Sequence, residues 1–356
     1  MTSPRSVVVV GAGIIGLATA YRLAEHGCTV TVLDPTPARG ATWAAAGMIA
    51  PTAEIAPGEE ANYAYQLRAT PAWVQMAADL EARAGRPVTL HATGTLVVGV
   101  DVADRRALDQ FHTVATRFGA TMRAVTRDAD PDLFDFVAPG LRTGLFMAED
   151  GWLDPDEAVD ALRAALESLG VATVAETVLR ARSDESGGVV AETASGRYRA
   201  DVGVVATGAT GLPSGLSAPE GVAVRPVRGV TVRVRGVDHG AQAVTVRALI
   251  HGHAFYAVSR PGGYAILGAT SEERPEPVVE VGELQRLLRD AVELIPDLDG
   301  AELVEVRTAR RPATRDLRPF FAALPQAGWF WSSGHYRHGV TLAPVAAADA
   351  VAALLG

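Results

Sequence analysis

The chain has 356 residues, 48% of them hydrophobic and 21% charged, with a formal net charge of −9. That length and apolar content suffice for a sizeable core in one large or two intimately joined domains, and the acidic balance argues against nucleic acid or an anionic membrane as partner. The single cysteine, Cys28, excludes an intrachain disulfide and points to a reducing, cytoplasmic setting, and no stretch resembles a membrane span.

Residues 7–34 predict a strand, a tight turn, a helix and a second strand. Four valines run into Gly11-Ala12-Gly13-Ile14-Ile15-Gly16, an apolar-periodic helix follows to near Gly27, and the strand 29–33 ends at Asp34. The apolar start behind Arg5 is not a signal peptide, because its glycines fall at nucleotide-turn spacing. Gly11 allows the turn, Gly13 lets the backbone approach a pyrophosphate at the helix N-terminus, and Gly16 lets the helix lie close on the strand. The Asp34 carboxylate is placed for ribose hydroxyls.

Residues 35–51 are rich in small side chains, with Gly40, Gly47 and Pro51 interrupting any long helix, and predict a loop and short helix that lie against a flat ring. A helix over 71–84 with Pro71 at its start, a strand over 95–100 and a helix over 103–118 follow. Asp154-Pro155-Asp156 supplies an N-cap, a first-turn proline and an acid for a helix running to Gly170. Next come a strand over 171–179, a hairpin of 189–193 with 197–199 around Ser195-Gly196, and a strand over 201–205 that stops at Ala206-Thr207-Gly208. That last strand returns the chain to the first sheet, beside the cofactor.

From 223 to 270 strands follow one another without helices, at 230–234, 254–258 and 264–267, as in a largely antiparallel sheet. A helix over 283–295 leads to a strand over 302–311, where alternation sends Arg310 and Arg311 to opposite faces, so that only one can enter a site. The tail reads as a strand at Trp329-Phe330-Trp331, a loop through His335, and an alanine-rich helix after Pro344.

With these residues in hand the chain resembles the D-amino-acid oxidase superfamily of flavoproteins, and most of all its glycine oxidase branch of thiamine biosynthesis. Three signatures carry the resemblance: the dinucleotide turn together with Ala44-Ala45-Ala46-Gly47-Met48; Arg311-Pro312-Ala313-Thr314-Arg315-Asp316 with Pro319; and Gly334-His335-Tyr336-Arg337-His338-Gly339-Val340-Thr341-Leu342-Ala343-Pro344. The resemblance spans nearly the whole chain. It implies an α/β (mixed α+β) fold with a discontinuous Rossmann-like FAD-binding domain, 1–86, 140–220 and 306–356, and a smaller substrate domain on a mixed, mostly antiparallel sheet, 87–139 and 221–305.

Carried over residue by residue, it implies that Gly11, Gly13, Ile14, Ile15 and Gly16 hold the FAD pyrophosphate and that Asp34 and Pro35 meet the ribose. Val178 meets the adenine, and Thr42, Trp43, Ala46, Gly47 and Met48 lie along the flavin. His335, Tyr336, Arg337, His338, Gly339, Val340 and Thr341 cover its pyrimidine end, while Tyr256, Arg311 and Arg337 face the substrate. Two departures stand out: Asp34 replaces the commoner glutamate, and Trp43 stands where a small residue is usual.

The implied reaction is hydride transfer from Cα of a small neutral amine, glycine first, to flavin N5. Water then hydrolyses the imine and oxygen is reduced to peroxide, with no obligatory side-chain acid or base. Arginine suits the substrate carboxylate, because its planar fork binds bidentately, and the helix following Val340 is the candidate for stabilising charge at the flavin C2 carbonyl. Covalent attachment needs a thiol near the ring, and Cys28 lies beyond the first helix, so FAD is expected to be noncovalent and Cys28 a packed thiol. No metal is expected at His335 and His338, and a homotetramer is the assembly the family suggests. A D-amino-acid or imino-acid oxidase or dehydrogenase, and a flavin-binding protein without turnover, stay open as alternatives.

Overall fold

The computed structural model describes residues 5–55, 60–185, 187–237 and 243–356. Its first sheet orders Phe320–Ala323, Trp329–Ser333, Val202–Val205, Ser6–Val10, Thr29–Leu33 and Ala172–Val174 side by side. All neighbours are parallel except the first pair. Because successive side chains leave a strand on opposite faces, Val7 and Val9 pack into a helical layer made by Ile14–Glu25, Ala69–Ala84, Pro155–Ser168 and Gly339–Leu355. Val8 and Val10 pack instead against a three-stranded sheet of Arg180–Ser183, Val189–Glu192 and Arg197–Ala200. A strand covered on both faces needs an unbroken apolar run, which is what four valines provide.

The second sheet has eight strands in the order Glu302–Ala313, Arg225–Arg235, Tyr264–Gly268, His253–Arg260, Thr245–Ile250, Thr95–Gly99, Thr143–Met147 and Arg123–Thr126. It is antiparallel except where Thr245–Ile250 runs parallel to Thr95–Gly99. Helix Val281–Leu294 covers one face through Leu287, Ala291 and Leu294, which meet Val232, Val246 and Ala257. Residues of the opposite parity, Thr231, Arg247 and Tyr256 among them, face the cavity.

The structure departs from the sequence reading at several places. The strand expected over 171–179 is only Ala172–Val174, because the Glu176 amide bonds the Val174 carbonyl at 2.9 Å and turns the chain out of the sheet. Thr245–Ile250 is a strand that the reading did not include. Thr143–Met147 pairs with Thr95–Gly99 in the second sheet, although it falls in the stretch 140–220 expected of the cofactor domain. Pro71 is the third residue of helix Ala69–Ala84, where its missing N–H is still one of the first-turn orphans.

The last helix does not start after Pro344 but at Gly339, with the proline inside it. Pro344 cannot donate to the Val340 carbonyl. Trp73, fully buried in the neighbouring helix, does so instead: its Nε1 lies 2.9 Å from the Val340 oxygen and 3.1 Å from that of Thr341. Trp73→Phe leaves a buried carbonyl unmet and is expected to cost about 1–3 kcal/mol, read as a lower urea midpoint at unchanged slope.

Candidate active site

A cavity of about 500 Å³ runs from the glycine turn to the second sheet. At its first end Gly13, Ile14, Ile15, Asp34, Pro35 and Val178 line it. Gly11 has φ +107°, and a Cβ on Gly16 would stand 1.9 Å from the Gly11 carbonyl oxygen, so the helix could not approach the strand with any side chain there. The Asp34 carboxylate accepts the Ala12 amide through Oδ2 and the Thr36 amide through Oδ1, each at 2.7 Å, which fixes the turn and aims the remaining lone pairs at the cavity.

Along the middle runs the small-residue loop with its short helix Ala41–Ala44. Its carbonyls are tied in succession to other elements. Trp43 accepts from Arg307 Nη1 at 2.5 Å, Ala44 from Thr231 Oγ1 at 3.1 Å, Ala46 from Arg260, Gly47 from the Leu153 amide at 2.9 Å, and Met48 from Thr341 Oγ1 at 2.9 Å. Thr42 Oγ1 accepts from the Ile14 amide at 3.0 Å. The Arg260 guanidinium stacks 3.8 Å from the Trp152 ring, whose other face lies 3.7 Å from His91, so the cation that holds Ala46 is itself clamped. A loop held at so many carbonyls is a preformed wall.

The far end is built on the second sheet, where two glycines shape the floor. A Cβ on Gly229 would lie 2.2 Å from both terminal nitrogens of Arg311, and one on Gly268 would lie 2.3 Å from the Tyr256 hydroxyl oxygen. Both side chains therefore lie flat across the neighbouring strand. Arg311 donates to the Thr270 carbonyl at 3.1 Å, and Arg310, next along the strand, does not line the cavity, as alternation requires. Burial pushes the Tyr256 phenol up to about 12, against the opposing Arg311 charge, so it stays a donor at neutral pH. Burial also pushes the His335 ring down to about 4, leaving it neutral.

Facing that floor is a group that no sequence motif announces. Glu54, buried at the cavity wall, accepts Arg247 Nη1 on Oε1 at 2.6 Å and Arg337 Nε on Oε2 at 3.1 Å. His338 Nδ1 lies 3.0 Å from the same Oε2. Burial alone would raise this carboxyl, but Arg247, His338 and Arg337 together hold it well below the usual carboxylate range. Among the described residues no carboxylate stands within ion-pair distance of Arg311, whereas the two other arginines of the cavity both meet Glu54.

Most of the expected site residues thus converge on one cavity: Tyr256, Arg311, Arg337, Thr42, Ala46, Gly47, Met48, His335, Tyr336, Gly339, Val340 and Thr341 all line it. Gly16, Trp43 and His338 do not. Gly16 packs on Gly11, His338 turns to Glu54, and Trp43 lies under the Arg307 guanidinium, 4.8 Å from its ring centroid, so it packs outward and does not narrow the site. Arg337, expected at the substrate, is engaged by Glu54. The start of the last helix, Gly339 to Thr341, reaches the cavity with its amide end.

A family model described as FAD dependent oxidoreductase, DAO, matches residues 6–354. The chain belongs to the DAO family. This DAO-family protein is 30% identical over 355 residues to a glycine oxidase of Geobacillus kaustophilus, covering 97% of this chain and 91% of that protein. The crystal structure of glycine oxidase from the same organism superposes with a TM-score of 0.86 at 28% identity, over 99% of this chain and 95% of that one. A putative thiamine biosynthesis oxidoreductase ThiO of Rhizobium etli is 30% identical over 354 residues, 98% and 96% of the two chains. The bifunctional protein ThiO/ThiG of Synechocystis sp. is 31% identical over 98% of this chain, which spans about half, 51%, of that relative.

FAD is the family's cofactor, and the residues present fit it. The turn presents amides at a helix N-terminus beside a ribose-competent carboxylate, and the middle wall carries small side chains, Met48 apart, on a tied backbone. Cys28 sits in the helix-facing core and does not line the cavity. No helix among the described residues is long and apolar enough to cross a membrane.

Proposed function

We propose that this protein catalyses oxidative deamination of glycine and other small amines, glycine with O2 and water giving glyoxylate, ammonia and H2O2, for the thiazole branch of thiamine biosynthesis. The observation that carries the reading is Arg311, a cavity arginine lying flat over Gly229 with no carboxylate of the described residues beside it. Its planar fork takes the substrate carboxylate, and the Tyr256 phenol donates to the same group. Glu54, kept ionised by Arg247, His338 and Arg337, is a poor proton acceptor and acts as a fixed anion, so the reacting amine must arrive neutral or lose its proton to water. Arg337 serves the wall through Glu54 and does not grip the substrate.

Gly11, Gly13, Ile14 and Ile15 would hold the pyrophosphate, Asp34 and Pro35 the ribose, Val178 the adenine, and Thr42, Ala46, Gly47 and Met48 the length of the ring. His335 to Thr341 would meet its pyrimidine end, where the helix amides favour negative charge. When bound, FAD supplies the two-electron acceptor for the hydride leaving Cα and passes the electrons to oxygen. The segments 1–86, 140–220 and 306–356 form the FAD domain in this proposal and 87–139 with 221–305 the substrate domain, the strand Thr143–Met147 joining the latter's sheet. A cytoplasmic homotetramer completes the reading, and light scattering tests the assembly.

The test is a peroxide assay with glycine, sarcosine, D-alanine and D-proline, with the visible spectrum recorded alongside. Glycine is expected to bleach the flavin anaerobically and to release peroxide in air. Acid precipitation is expected to leave the yellow colour in the supernatant, since the thiol is away from the cavity. Flavin that stays yellow with every amine would sink the proposal.

A further inference from the structure

We propose that Arg260 is a positioning residue for the flavin: its guanidinium sets the wall along the ring and places a cation behind that wall, which makes the flavin a stronger electron acceptor. The inference rests on FAD lying along the Ala46 wall, and not on which amine is oxidised. Tyr256, Val258 and Arg260 leave one strand on the same face. Tyr256 enters the cavity, Val258 packs with Ala46 and Trp152, and Arg260 donates to the Ala46 carbonyl. The strand that presents the phenol to the substrate therefore also holds the wall of the cofactor.

Arg260 Nη1 also donates to the Leu153 carbonyl at 3.3 Å, so one fork ties together the two segments that pair at Met48 and Trp152. Gly47 lets those segments close up, since a Cβ there would stand 2.0 Å from the Leu153 oxygen. The Arg260 side chain is buried, 7% exposed, with its guanidinium 3.8 Å from the Trp152 ring. Its contacts are two carbonyls and a ring, and among the described residues no carboxylate stands within ion-pair distance of it. The neighbouring Arg233 and Arg307 differ in this respect: each meets Asp156 at 3.8 Å, and Glu305 lies 3.9 and 2.8 Å from them. Burial pulls Arg260 down to about 10, against the opposing pull of Asp154, which leaves it charged at neutral pH. Asp154, Asp156 and Glu157 act on it only across space; the first caps helix Pro155–Ser168, and the other two are exposed, where water screens them. The field of a buried cation without a contact anion is screened far less. Two-electron reduction adds negative charge to the ring, and Arg260 favours that state over the oxidised one.

The test titrates the holoenzyme with sulfite, which needs no amine substrate. The sulfur lone pair bonds to flavin N5 and leaves the ring anionic, and the yellow absorbance fades. The wild type is expected to bind sulfite at least tenfold more tightly than free FAD does. Arg260→Gln keeps an N–H donor for the Ala46 carbonyl and loses the charge; it is expected to bind sulfite at least tenfold more weakly than the wild type and to show a more negative midpoint potential at unchanged flavin content. Arg260→Lys keeps the charge and is expected to recover sulfite affinity to within about threefold of the wild type. An Arg260→Gln enzyme that binds sulfite as the wild type does overturns the proposal. So does an Arg260→Lys enzyme as weak as Arg260→Gln, which would assign the effect to packing. A wild type that binds sulfite no more tightly than free FAD overturns it even where a variant does not fold. A protein that shows the charge-dependent sulfite affinity and oxidises no amine keeps the Arg260 assignment and loses the oxidase reading.

Discussion

Arg311→Ala is expected to lower kcat/KM for glycine by about 10²–10⁴-fold while the protein keeps its yellow colour. Each charge-assisted hydrogen bond to a carboxylate contributes roughly 1.5–3 kcal/mol, and a bidentate pair therefore accounts for two to four powers of ten at about 1.4 kcal/mol per decade. Arg311→Lys is expected to recover little, since a point charge lacks the fork. Gly229→Ala offers a second route to the same loss with the arginine still present: its new methyl would stand 2.2 Å from the guanidinium nitrogens and must displace them. Steady-state kinetics on the three variants, with flavin content from the visible spectrum, check the set. An Arg311→Ala enzyme with an unchanged KM would remove the carboxylate from that position.

Glu54→Gln is expected to be the most destabilising change at the cavity wall. Removing one partner of a buried ion pair leaves uncompensated charge and costs about 3–5 kcal/mol, and here Arg247, Arg337 and His338 all lose their anion. The pH dependence follows from the direction of the shift. Because the folded state holds this carboxyl below its unfolded value, its contribution is present above the unfolded pKa of about 4.3 and is lost as pH falls through the lower folded value. Asp150 works in the opposite sense: burial pushes it up to about 7, so stability is lost as pH rises from about 3.9 toward that value. Urea unfolding between pH 3 and 8 on wild type, Glu54→Gln and Asp150→Asn separates the two. The first variant flattens the acid limb, and the second removes the decline toward neutrality.

The parts of the site that are legible in the chain are those whose constraints are local. The glycine turn announces itself because turn, helix approach and acid all fall within residues 7–34, and Arg311 because strand alternation decides between it and Arg310. Arg247 was within reach of the same logic, since Val246, Ala248 and Ile250 all enter the core and leave Arg247 on the cavity face, but one charge in a short strand obscures the period. Glu54 carries no such signal. It sits in a turn of no regular period, and its importance arises only where side chains from a strand, a loop and a helix cap meet it. Pro344 misleads for a related reason: a proline ends a helix by local rule, and a tryptophan remote in sequence meets the carbonyl it leaves.

The order of strands in the first sheet bears on how the protein is made. Ser6–Val10 receives its second neighbour only when Val202–Val205 has been synthesised, and that strand in turn waits for Trp329–Ser333. Until then a four-valine ribbon with two greasy sides is bare on the ribosome, a state that invites aggregation and chaperone attention. The amides of Gly339 to Thr341 come later still. Loading with the nucleotide must therefore wait for that helix, and fragments lacking residues 327–356 should be neither pigmented nor soluble.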